Sequence, residues 1–301
     1  MIVALGDLML DIVMQTSSPV LQSPHCFAQA SISPGGSAAN FAVWAARLGA
    51  EVGLTAKVGD DVVGRSLLCD LEQERVVSGV VMGKQATGLT LALIDQSGNR
   101  TMVAARGATS ALGADDLDWR LLDHADLLHV TAFSFFDDVP RDAALMAMRH
   151  VKKRGKLLSL DPSSRSYLER LGAEAFFAMA REVDIFFPNL DEGRALTGEH
   201  QPERVMSILL ERFPVVALKM GEDGAFAGTG NTIVQDSGFG VPVVDRTGAG
   251  DAFAAAFVVT WLAHHDLTAA LREGNRLAAG VVQVAGARSF RAVSPGSALQ
   301  Q

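Results

Sequence analysis

The sequence predicts an α/β protein built on a doubly wound, mostly parallel sheet that carries a small β-sheet lid. Short apolar runs alternate with amphipathic stretches along most of the 301 residues. Apolar runs without internal alternation are typical of parallel strands that helices cover on both faces. Two segments interrupt this rhythm, and no linker composition divides the chain. We therefore expect a single domain over 1–301.

The predicted elements follow one another as strand–helix units, which right-handed crossovers connect in a sheet of this class. The strand candidates are short apolar runs at Ile2–Leu5, Val52–Lys57, Leu127–Val130, Leu157–Leu160, Ile185–Phe187 and Val215–Lys219. The helix candidates have helical apolar periodicity and lie near Ala38–Leu48, Val62–Glu74, Arg141–Arg154, Leu190–Leu196, Pro202–Arg212, Asp251–His264 and Thr268–Ala285.

The lid is predicted from the two segments that interrupt the rhythm. Thr90–Ile94 and Arg100–Val103 are extended runs around the turn-rich Asp95–Asn99, a pattern that predicts a β-hairpin. Residues 11–34 lack helical periodicity and are rich in Ser, Pro and Gln. We expect segments near 11–35 and 88–106 to form the lid. Its exposed antiparallel edges would offer a surface for a homodimer.

Composition excludes several classes of function. The formal net charge is -8, and an acidic chain without a basic face is poorly suited to nucleic acid. The longest apolar run, Ala252–Ala263, is shorter than the roughly 20 residues that span a bilayer. Cys26 and Cys69 lie far apart and in no CxxC pattern. This cysteine usage predicts a reducing, cytoplasmic setting.

The strongest candidate site is Asp245-Arg-Thr-Gly-Ala-Gly-Asp251, directly before an apolar helix. Small residues at Gly248–Gly250 leave backbone N–H groups unshielded at the helix start, where an anion can bind. Two glycines are costly at the start of a long helix, which favours a functional role. Phosphoryl transfer needs such a cradle and a residue that deprotonates the attacking hydroxyl, a role that suits Asp251. The alternative is that Asp251 only caps the helix.

Three weaker motifs accompany it. Gly35-Gly36-Ser-Ala-Ala-Asn40 opens a helix, and by itself is equally explained by a glycine turn with an N-cap. Asn189 and Glu192 fit a capping box at a helix start. Lys219-Met-Gly221-Glu-Asp-Gly224 follows a strand and is, alone, a glycine turn. No GxxxxGK[ST] sequence, dinucleotide fingerprint or protein-kinase signature occurs.

Together these motifs resemble the ribokinase-like (PfkB-type) carbohydrate kinase family, almost from end to end. The resemblance rests on motifs that follow in the family's order: Gly6-Asp7 with Asp11, Gly35–Asn40 with Ala45–Ala50, Asp161–Arg165, Asn189 with Glu192, Lys219–Gly224 and Asp245–Asp251. It implies a ribokinase-like α/β fold whose β lid closes over a sugar, and an ATP-dependent kinase that uses Mg²⁺.

The resemblance also implies roles for individual residues. Asp251 would be the general base, beside an anion hole made by the amides of Gly248, Ala249 and Gly250. The remaining expected roles are sugar binding by Asp11, Gly35, Gly36 and Asn40; Mg²⁺ organised through water by Asn189 and Glu192; nucleotide contacts at Asn189, Lys219, Gly221, Gly224 and Asn275; and K⁺ at Asp245 and Thr247.

Several positions depart from the family pattern. Ribokinases usually carry Asn where this chain has Met9 and Lys where it has Ser37, which argues against ribose as the substrate. Arg246 replaces a small Thr next to the expected K⁺ site. Arg106 and Arg165 resemble substrate-facing positions of fructokinase-like and 2-keto-3-deoxygluconate kinase-like members. An arginine beside the lid is equally explained as a surface ion pair.

The leading hypothesis is an ATP-dependent kinase that phosphorylates a hydroxyl, expected to be primary, of a ketose, a keto-sugar acid or a similar monosaccharide. The alternative within enzymes is a nucleoside kinase of the same fold; the chain holds one Tyr but 15 Phe that could stack on a base. A third hypothesis, a non-catalytic sugar or nucleotide sensor, does not explain why a candidate base such as Asp251 is present. The expected partners are the sugar and ATP.

Overall fold

The computed structural model describes residues 1–16, 27–94, 100–230 and 232–290. Its strands in these ranges are β1 (Ile2–Leu5), β2 (Met9–Thr16), β3 (Ala28–Gly35), β4 (Val52–Gly59), β5 (Val77–Gly83), β6 (Leu89–Ile94), β7 (Arg100–Ala105), β8 (Leu127–Thr131), β9 (Leu157–Asp161), β10 (Ile185–Phe186), β11 (Val215–Lys219), β12 (Ala225–Thr229) and β13 (Thr232–Asp236). Its α-helices are α1 (Ser37–Arg47), α2 (Val62–Gln73), α3 (Trp119–Asp123), α4 (Asp138–Lys153), α5 (Arg165–Leu171), α6 (Ala173–Ala180), α7 (Leu190–Thr197), α8 (Pro202–Leu210), α9 (Ala249–His264) and α10 (Leu267–Val281).

The large sheet has the predicted doubly wound, mostly parallel topology. Over the described residues its strand order is β13-β12-β11-β10-β9-β8-β1-β4-β5. The strands from β11 to β5 are parallel, and β12 and β13 add an antiparallel edge. The chain winds outward from β1 in both directions, so the topology reverses beside this central strand. Ligands of such sheets bind beyond the carboxyl ends of the strands near this reversal.

Two hydrophobic layers hold the helices against the faces of this sheet. On one face α1, α9 and α10 contribute fully buried side chains such as Trp44, Phe257 and Leu271. On the other, the core includes Phe135, Phe176 and many smaller apolar residues. Burial on both faces explains why the strands read as continuous apolar runs. Among the described residues no helix is long and apolar enough to cross a membrane.

The lid is a second sheet of four strands, in the order β3-β2-β6-β7. The predicted hairpin is confirmed in its strands, because β6 and β7 pair antiparallel from Leu89 with Ala105 to Ile94 with Arg100. β2 pairs antiparallel with β3 and parallel with β6, which joins the two lid segments. The predicted turn at 95–99 and the middle of the first segment lie outside the described residues.

The predicted elements are all present, with their ends moved by a few residues. Sequence reading missed α3, α5 and α6, which are short, and β5, β12 and β13 at the sheet edges. The helix predicted to reach Ala285 ends at Val281. The helix ends at a contact with a distant segment: the carbonyl of Val282 accepts hydrogen bonds from the N–H groups of Val244 and Asp245 at 2.7 and 3.1 Å.

Candidate active site

Polar residues from four strand ends meet at the carboxyl edge of the large sheet. Asp7 follows β1, Asp161 ends β9, Asn189 follows β10 and Lys219 ends β11. Asn189 and Lys219 lie side by side, because a parallel bridge extends the pairing of β10 with β11. The N-termini of α1 and α9 point to the same region, since Ser37 and Asn40 hydrogen-bond Asp251.

Asp7 fixes the start of α1. Its carboxylate accepts hydrogen bonds from the N–H of Ser37 at 2.8 Å, the N–H of Ala38 at 3.3 Å and the hydroxyl of Thr131 at 3.2 Å. Gly36 precedes the helix with φ 93°, and a Cβ there would lie 2.4 Å from the carbonyl oxygen of Asp7. The glycine is therefore needed for the close approach of α1 to β1.

The start of α9 has the shape of an anion site. Gly248 has φ 77°, and a Cβ there would lie 2.5 Å from the Cβ of Ala287, so the loop tolerates only glycine. The carbonyl of Arg246 accepts the N–H of Ala249 at 3.3 Å. The amides of the first helical turn have no preceding helical carbonyl to bind, and they carry the positive end of the helix dipole. This end of α9 favours an anion.

Asp251 lies in this first turn, partly buried and held by α1. Its Oδ1 accepts the hydroxyl of Ser37 at 2.5 Å, and its Oδ2 accepts the side-chain amide of Asn40 at 2.9 Å. Burial raises the pKa of Asp251 to about 7, although these two hydrogen bonds act in the opposite direction. A carboxylate with a pKa near neutrality can accept a proton and release it again.

Lys219 lies among three carboxyl groups. Its Nζ is 2.6 Å from Oδ2 of Asp161 and would be 3.3 Å from a Cβ added to Gly250. Burial lowers the pKa of Lys219, but Asp161, Glu192 and Asp251 outweigh this effect and leave it raised. Lys219 therefore carries its charge at the base of the anion site.

Glu192 and Asn189 form the capping box predicted at the start of α7. The side-chain oxygen of Asn189 accepts the N–H of Glu192 at 2.9 Å, and the carboxylate of Glu192 accepts the N–H of Asn189 at 2.8 Å. Glu192 is only 3% exposed, and burial together with Asp161 raises its pKa. Glu192 is thus a buried carboxyl group that interacts with both Asp161 and Lys219.

A cleft of about 760 Å³ opens beside the anion site. Asn189, Lys219 and Gly221 line it on one side, and Ala249 and Gly250 line it at the start of α9. Its remaining wall is largely apolar and comes from the loop before α9 and from the two last helices: Phe239, Val241, Pro242, Val243, Phe253, Ala278, Ala279 and Val282. The loop that joins β13 to α9 was not identified from the sequence as part of a site. Its apolar residues were a possible signal, because connecting loops at the protein surface are usually polar.

Gly224 and Asn275 do not line this cleft; they support its edge. The side-chain amide of Asn275 donates to Oδ1 of Asp236 at 2.7 Å. Gly224 has φ 82°, and a Cβ there would lie 2.0 Å from the carbonyl oxygen of Asp236. Both residues therefore hold the end of β13, from which the cleft loop begins.

At the lid, Asp11 of β2 packs against Gly35 of β3. A Cβ on Gly35 would lie 2.1 Å from a carboxylate oxygen of Asp11. Asp11 and Thr247 line a small cavity of about 20 Å³ between the lid and the loop before α9. Asp245 fastens this loop, because its carboxylate accepts the N–H and hydroxyl of Thr247 and the N–H of Gly286.

Two predicted substrate contacts are engaged with neighbouring side chains. Arg106 forms an ion pair with Asp137 at 2.5 Å, donates to the carbonyl of Phe133 and lies over the ring of Phe136. Arg165 pairs with Glu169 one turn along α5, and its side chain is 59% exposed. These contacts match the ion-pair alternative, and a role toward substrate stays a prediction for both.

Arg288 is a site residue that sequence reading missed. Its guanidinium is buried and donates to Oδ1 of Asn40 at 2.7 Å, to a carboxylate oxygen of Asp70 at 2.7 Å and to the carbonyl of Gly35 at 3.0 Å. These bonds orient the Asn40 amide toward Asp251 and join α1, α2 and the lid strand β3. No local pattern marks Ala-Gly-Ala-Arg288-Ser, because its partners are distant in sequence.

The comparison with known protein families decides the identity of this arrangement. The pfkB family carbohydrate kinase domain matches residues 1–292, nearly the whole chain. This chain belongs to the pfkB family of carbohydrate kinases. The resemblance inferred from the motifs is thereby confirmed.

Individual relatives of this pfkB chain are similar over most of their lengths. An ATP-dependent ribose-1-phosphate kinase of Halopiger xanaduensis is 36% identical over 273 residues, covering 88% of both chains. A 2-dehydro-3-deoxygluconokinase of Bacillus subtilis is 32% identical, covering 83% of this chain and 81% of its own. A structure described as Ribokinase II of E. coli with ATP and Mg²⁺ superposes with a TM-score of 0.86 at 25% identity, covering 97% and 95%. The pfkB chain is thus an ATP-dependent carbohydrate kinase with a ribokinase-like fold.

Replacing Arg288 by alanine is expected to destabilise this kinase. The change leaves Asp70 and the side-chain oxygen of Asn40 without their shared donor, and breaking a buried ion pair costs about 3–5 kcal/mol of unfolding free energy. Urea unfolding measures the loss. Arg204→Ala, at an exposed position of α8, is the matched control and should stay near the wild type. An equally small effect at Arg288 would show that its network does not stabilise the fold.

Proposed function

We propose that this kinase transfers the terminal phosphoryl group of ATP to a hydroxyl group of a monosaccharide, with Asp251 as the general base. The observation that carries the proposal is the position of Asp251 in the first turn of α9. Ser37 and Asn40 fix its carboxylate there, and burial raises its pKa to about 7. A proton acceptor and an anion site are therefore adjacent, as phosphoryl transfer requires.

In this mechanism different residues accept the proton, stabilise the charge and hold the sugar. Asp251 takes the proton of the attacking hydroxyl as the hydroxyl oxygen bonds to the γ-phosphorus of ATP, while the bond from that phosphorus to the β–γ bridging oxygen breaks and ADP leaves. The amides of Gly248, Ala249 and Gly250 stabilise negative charge on the transferring oxygens, and Lys219 adds positive charge beside Gly250. Asp11, Gly35, Gly36 and Asn40 hold the sugar, and the lid excludes water that would compete as acceptor.

Mg²⁺ fits the donor set near Glu192. The carboxyl groups of Glu192, Asp161 and Asp251 lie around the single ammonium group of Lys219. No cluster of three or more ligating side chains occurs among the residues that the structure describes. A site with so few ligating side chains suits Mg²⁺, which keeps several of its waters. Glu192 and Asn189 would hold the ion through water, and the nucleotide phosphates would bind it as well. The ion would neutralise charge on the phosphates.

The cleft of about 760 Å³ is the proposed nucleotide site. Its apolar wall, which includes Phe239 and Val243, suits the flat face of adenine. Gly221 and Lys219 lie on its opposite side, and Gly224 and Asn275 act from behind by holding Asp236. Gly250, the residue before Asp251, also lines the cleft, so a polyphosphate bound there would lie near Asp251.

A ketose or a keto-sugar acid is the proposed substrate, phosphorylated on a primary hydroxyl. Similarity to a 2-dehydro-3-deoxygluconokinase and to plant fructokinases supports this class. The similarity to a ribose-1-phosphate kinase adds a sugar phosphate to the candidates. Carboxylate or phosphate recognition by Arg106 or Arg165 would require the exchange of their present partners, Asp137 and Glu169.

A nucleoside is the second candidate substrate. Phe133 and Phe136 follow β8 at the carboxyl edge of the sheet and are only partly buried. Phe136 stacks on Tyr167 at a ring distance of 4.0 Å. Aromatic side chains of this kind can stack on a base.

K⁺ would bind near Asp245 and Thr247, and the protein would be a cytoplasmic single domain.

A homodimer would form through the lid, where Ile32, Met102 and Val103 are 66%, 55% and 54% exposed. Apolar side chains exposed on the outer strands β3 and β7 support such an interface. Sedimentation of wild type against Ile32→Lys would test the dimer.

The substrate is tested by ADP release with Mg²⁺-ATP in the presence and absence of K⁺. The panel contains fructose, 2-keto-3-deoxygluconate, ribose 1-phosphate, ribose and several nucleosides. We expect one ketose or keto-sugar acid to exceed the other compounds. A nucleoside in first place would establish the second candidate, and ATP binding without turnover on any compound would favour the sensor hypothesis.

Asp251→Asn is expected to lower the turnover number by about 10²–10⁴-fold, because the amide cannot accept the hydroxyl proton. ATP binding should persist, since the neutral amide leaves the helix start in place. Turnover on the preferred sugar and ATP affinity are measured together. Asp142→Asn, at an exposed position of α4, is the control. Near-normal turnover in Asp251→Asn would contradict the role of base.

The pH dependence of kcat/KM should show an acidic limb near pH 7, below which Asp251 is protonated and inactive. The Ser37 hydroxyl stabilises the charged carboxylate, so Ser37→Ala should raise the pKa of Asp251 and move this limb to higher pH. Ser37→Thr keeps a hydroxyl and should restore the limb. An unchanged limb in Ser37→Ala would show that another group controls the profile.

A further inference from the structure

Arg246 is a charged residue of the nucleotide cleft to which the proposed mechanism gives no role. It lies in the loop between β13 and α9, two residues before Gly248. Its side chain is exposed and lines the same cleft as Lys219, Ala249 and Gly250. The cleft therefore has two basic residues near the start of α9.

The two basic residues differ in their partners. The ammonium group of Lys219 is 2.6 Å from Asp161 and also interacts with Glu192 and Asp251. In the part of the chain that the structure describes, Arg246 forms no salt bridge. Its neighbour Asp245 is directed elsewhere, toward Thr247 and Gly286. Asp191 and Glu222 also line the cleft, but neither forms a salt bridge with Arg246 in the described part of the protein, so its guanidinium is available to a ligand.

The fold does not require an arginine at this position. Only the backbone carbonyl of Arg246 takes part in the turn, where it accepts the N–H of Ala249, and any residue supplies a carbonyl. A cation beside a helix N-terminus is unfavourable, because both are positive. Lys219 is a second positive group that lines this cleft. An anion bound between these positive groups would convert the repulsion into attraction.

We propose that the guanidinium of Arg246 binds the terminal phosphates of the nucleotide directly, as an additional residue of the phosphate site. This inference rests on the proposed function. The planar fork of arginine can donate two parallel hydrogen bonds to one phosphate in a fixed geometry, whereas a lysine ammonium group acts as a point charge and a backbone amide donates one hydrogen bond. Its place next to the anion hole assigns it to the β- and γ-phosphates rather than to the α-phosphate.

The test compares the affinities of ATP and AMP for wild type, Arg246→Ala and Arg246→Lys, measured by calorimetry with Mg²⁺ and without sugar. Loss of a hydrogen bond to a charged group should weaken ATP binding about 10- to 100-fold in Arg246→Ala. AMP lacks the terminal phosphates, so its affinity should not change. Arg246→Lys keeps the charge without the fork and should lie between wild type and alanine.

Arg272→Ala is the matched control, because Arg272 is an exposed arginine of α10 that does not line the cleft. It removes the same charge and should leave both affinities unchanged. Unchanged ATP affinity in Arg246→Ala would overturn the inference, and so would an equal loss for ATP and AMP. If the alanine variant does not fold, wild-type ATP affinity in Arg246→Lys would overturn it. Failure of wild type itself to bind ATP would instead contradict the proposed function.

Discussion

The active-site region depends on one contact, in which the N-termini of α1 and α9 meet at the carboxylate of Asp251. Asp251 belongs to α9, but Ser37 and Asn40 of α1 hold both of its oxygens. Gly36 allows α1 to approach β1 closely at Asp7, and Gly248 allows the loop before α9 to approach Ala287. Two positive helix ends thus converge on one carboxylate, which offsets part of their repulsion and leaves amides to bind a second anion.

The charges around this contact are balanced through Lys219. The Lys219 ammonium group pairs with Asp161 and also interacts with Glu192 and Asp251. Burial is the main reason why the pKa values of Glu192 and Asp251 are raised. A carboxyl group with its ordinary pKa would be ionised at neutral pH but would be a weaker base. In the proposed mechanism, burial therefore gives Asp251 a basicity suited to neutral pH, and the excess of carboxyl groups around Lys219 favours a divalent cation.

The lid is joined to the same network through Arg288. This buried guanidinium binds the carbonyl of Gly35 at the end of β3 and also orients Asn40. Movement of β3 would therefore be transmitted to the amide that holds Asp251. The glycines at 35 and 36 lie where the lid strand passes into α1, so the lid and the helix that holds Asp251 share one segment of backbone.

The sequence by itself determined the elements, the class of sheet and the motifs at its carboxyl edge. Apolar periodicity identifies buried strands and helices, and Gly248–Gly250 before a long apolar helix indicates an anion site from local geometry alone. The capping box of Asn189 and Glu192 was likewise predictable from the sequence, because its two hydrogen bonds join residues that are three positions apart. Only the tertiary structure decided which residues meet: Ser37 with Asp251, Lys219 with Asp161, and Arg288 with Asn40, across separations of 214, 58 and 248 residues. It also showed that Gly224 and Asn275 contact Asp236 and that Arg106 and Arg165 form ion pairs. Such partners are set by how the elements pack, and local sequence patterns carry no record of contacts between distant segments.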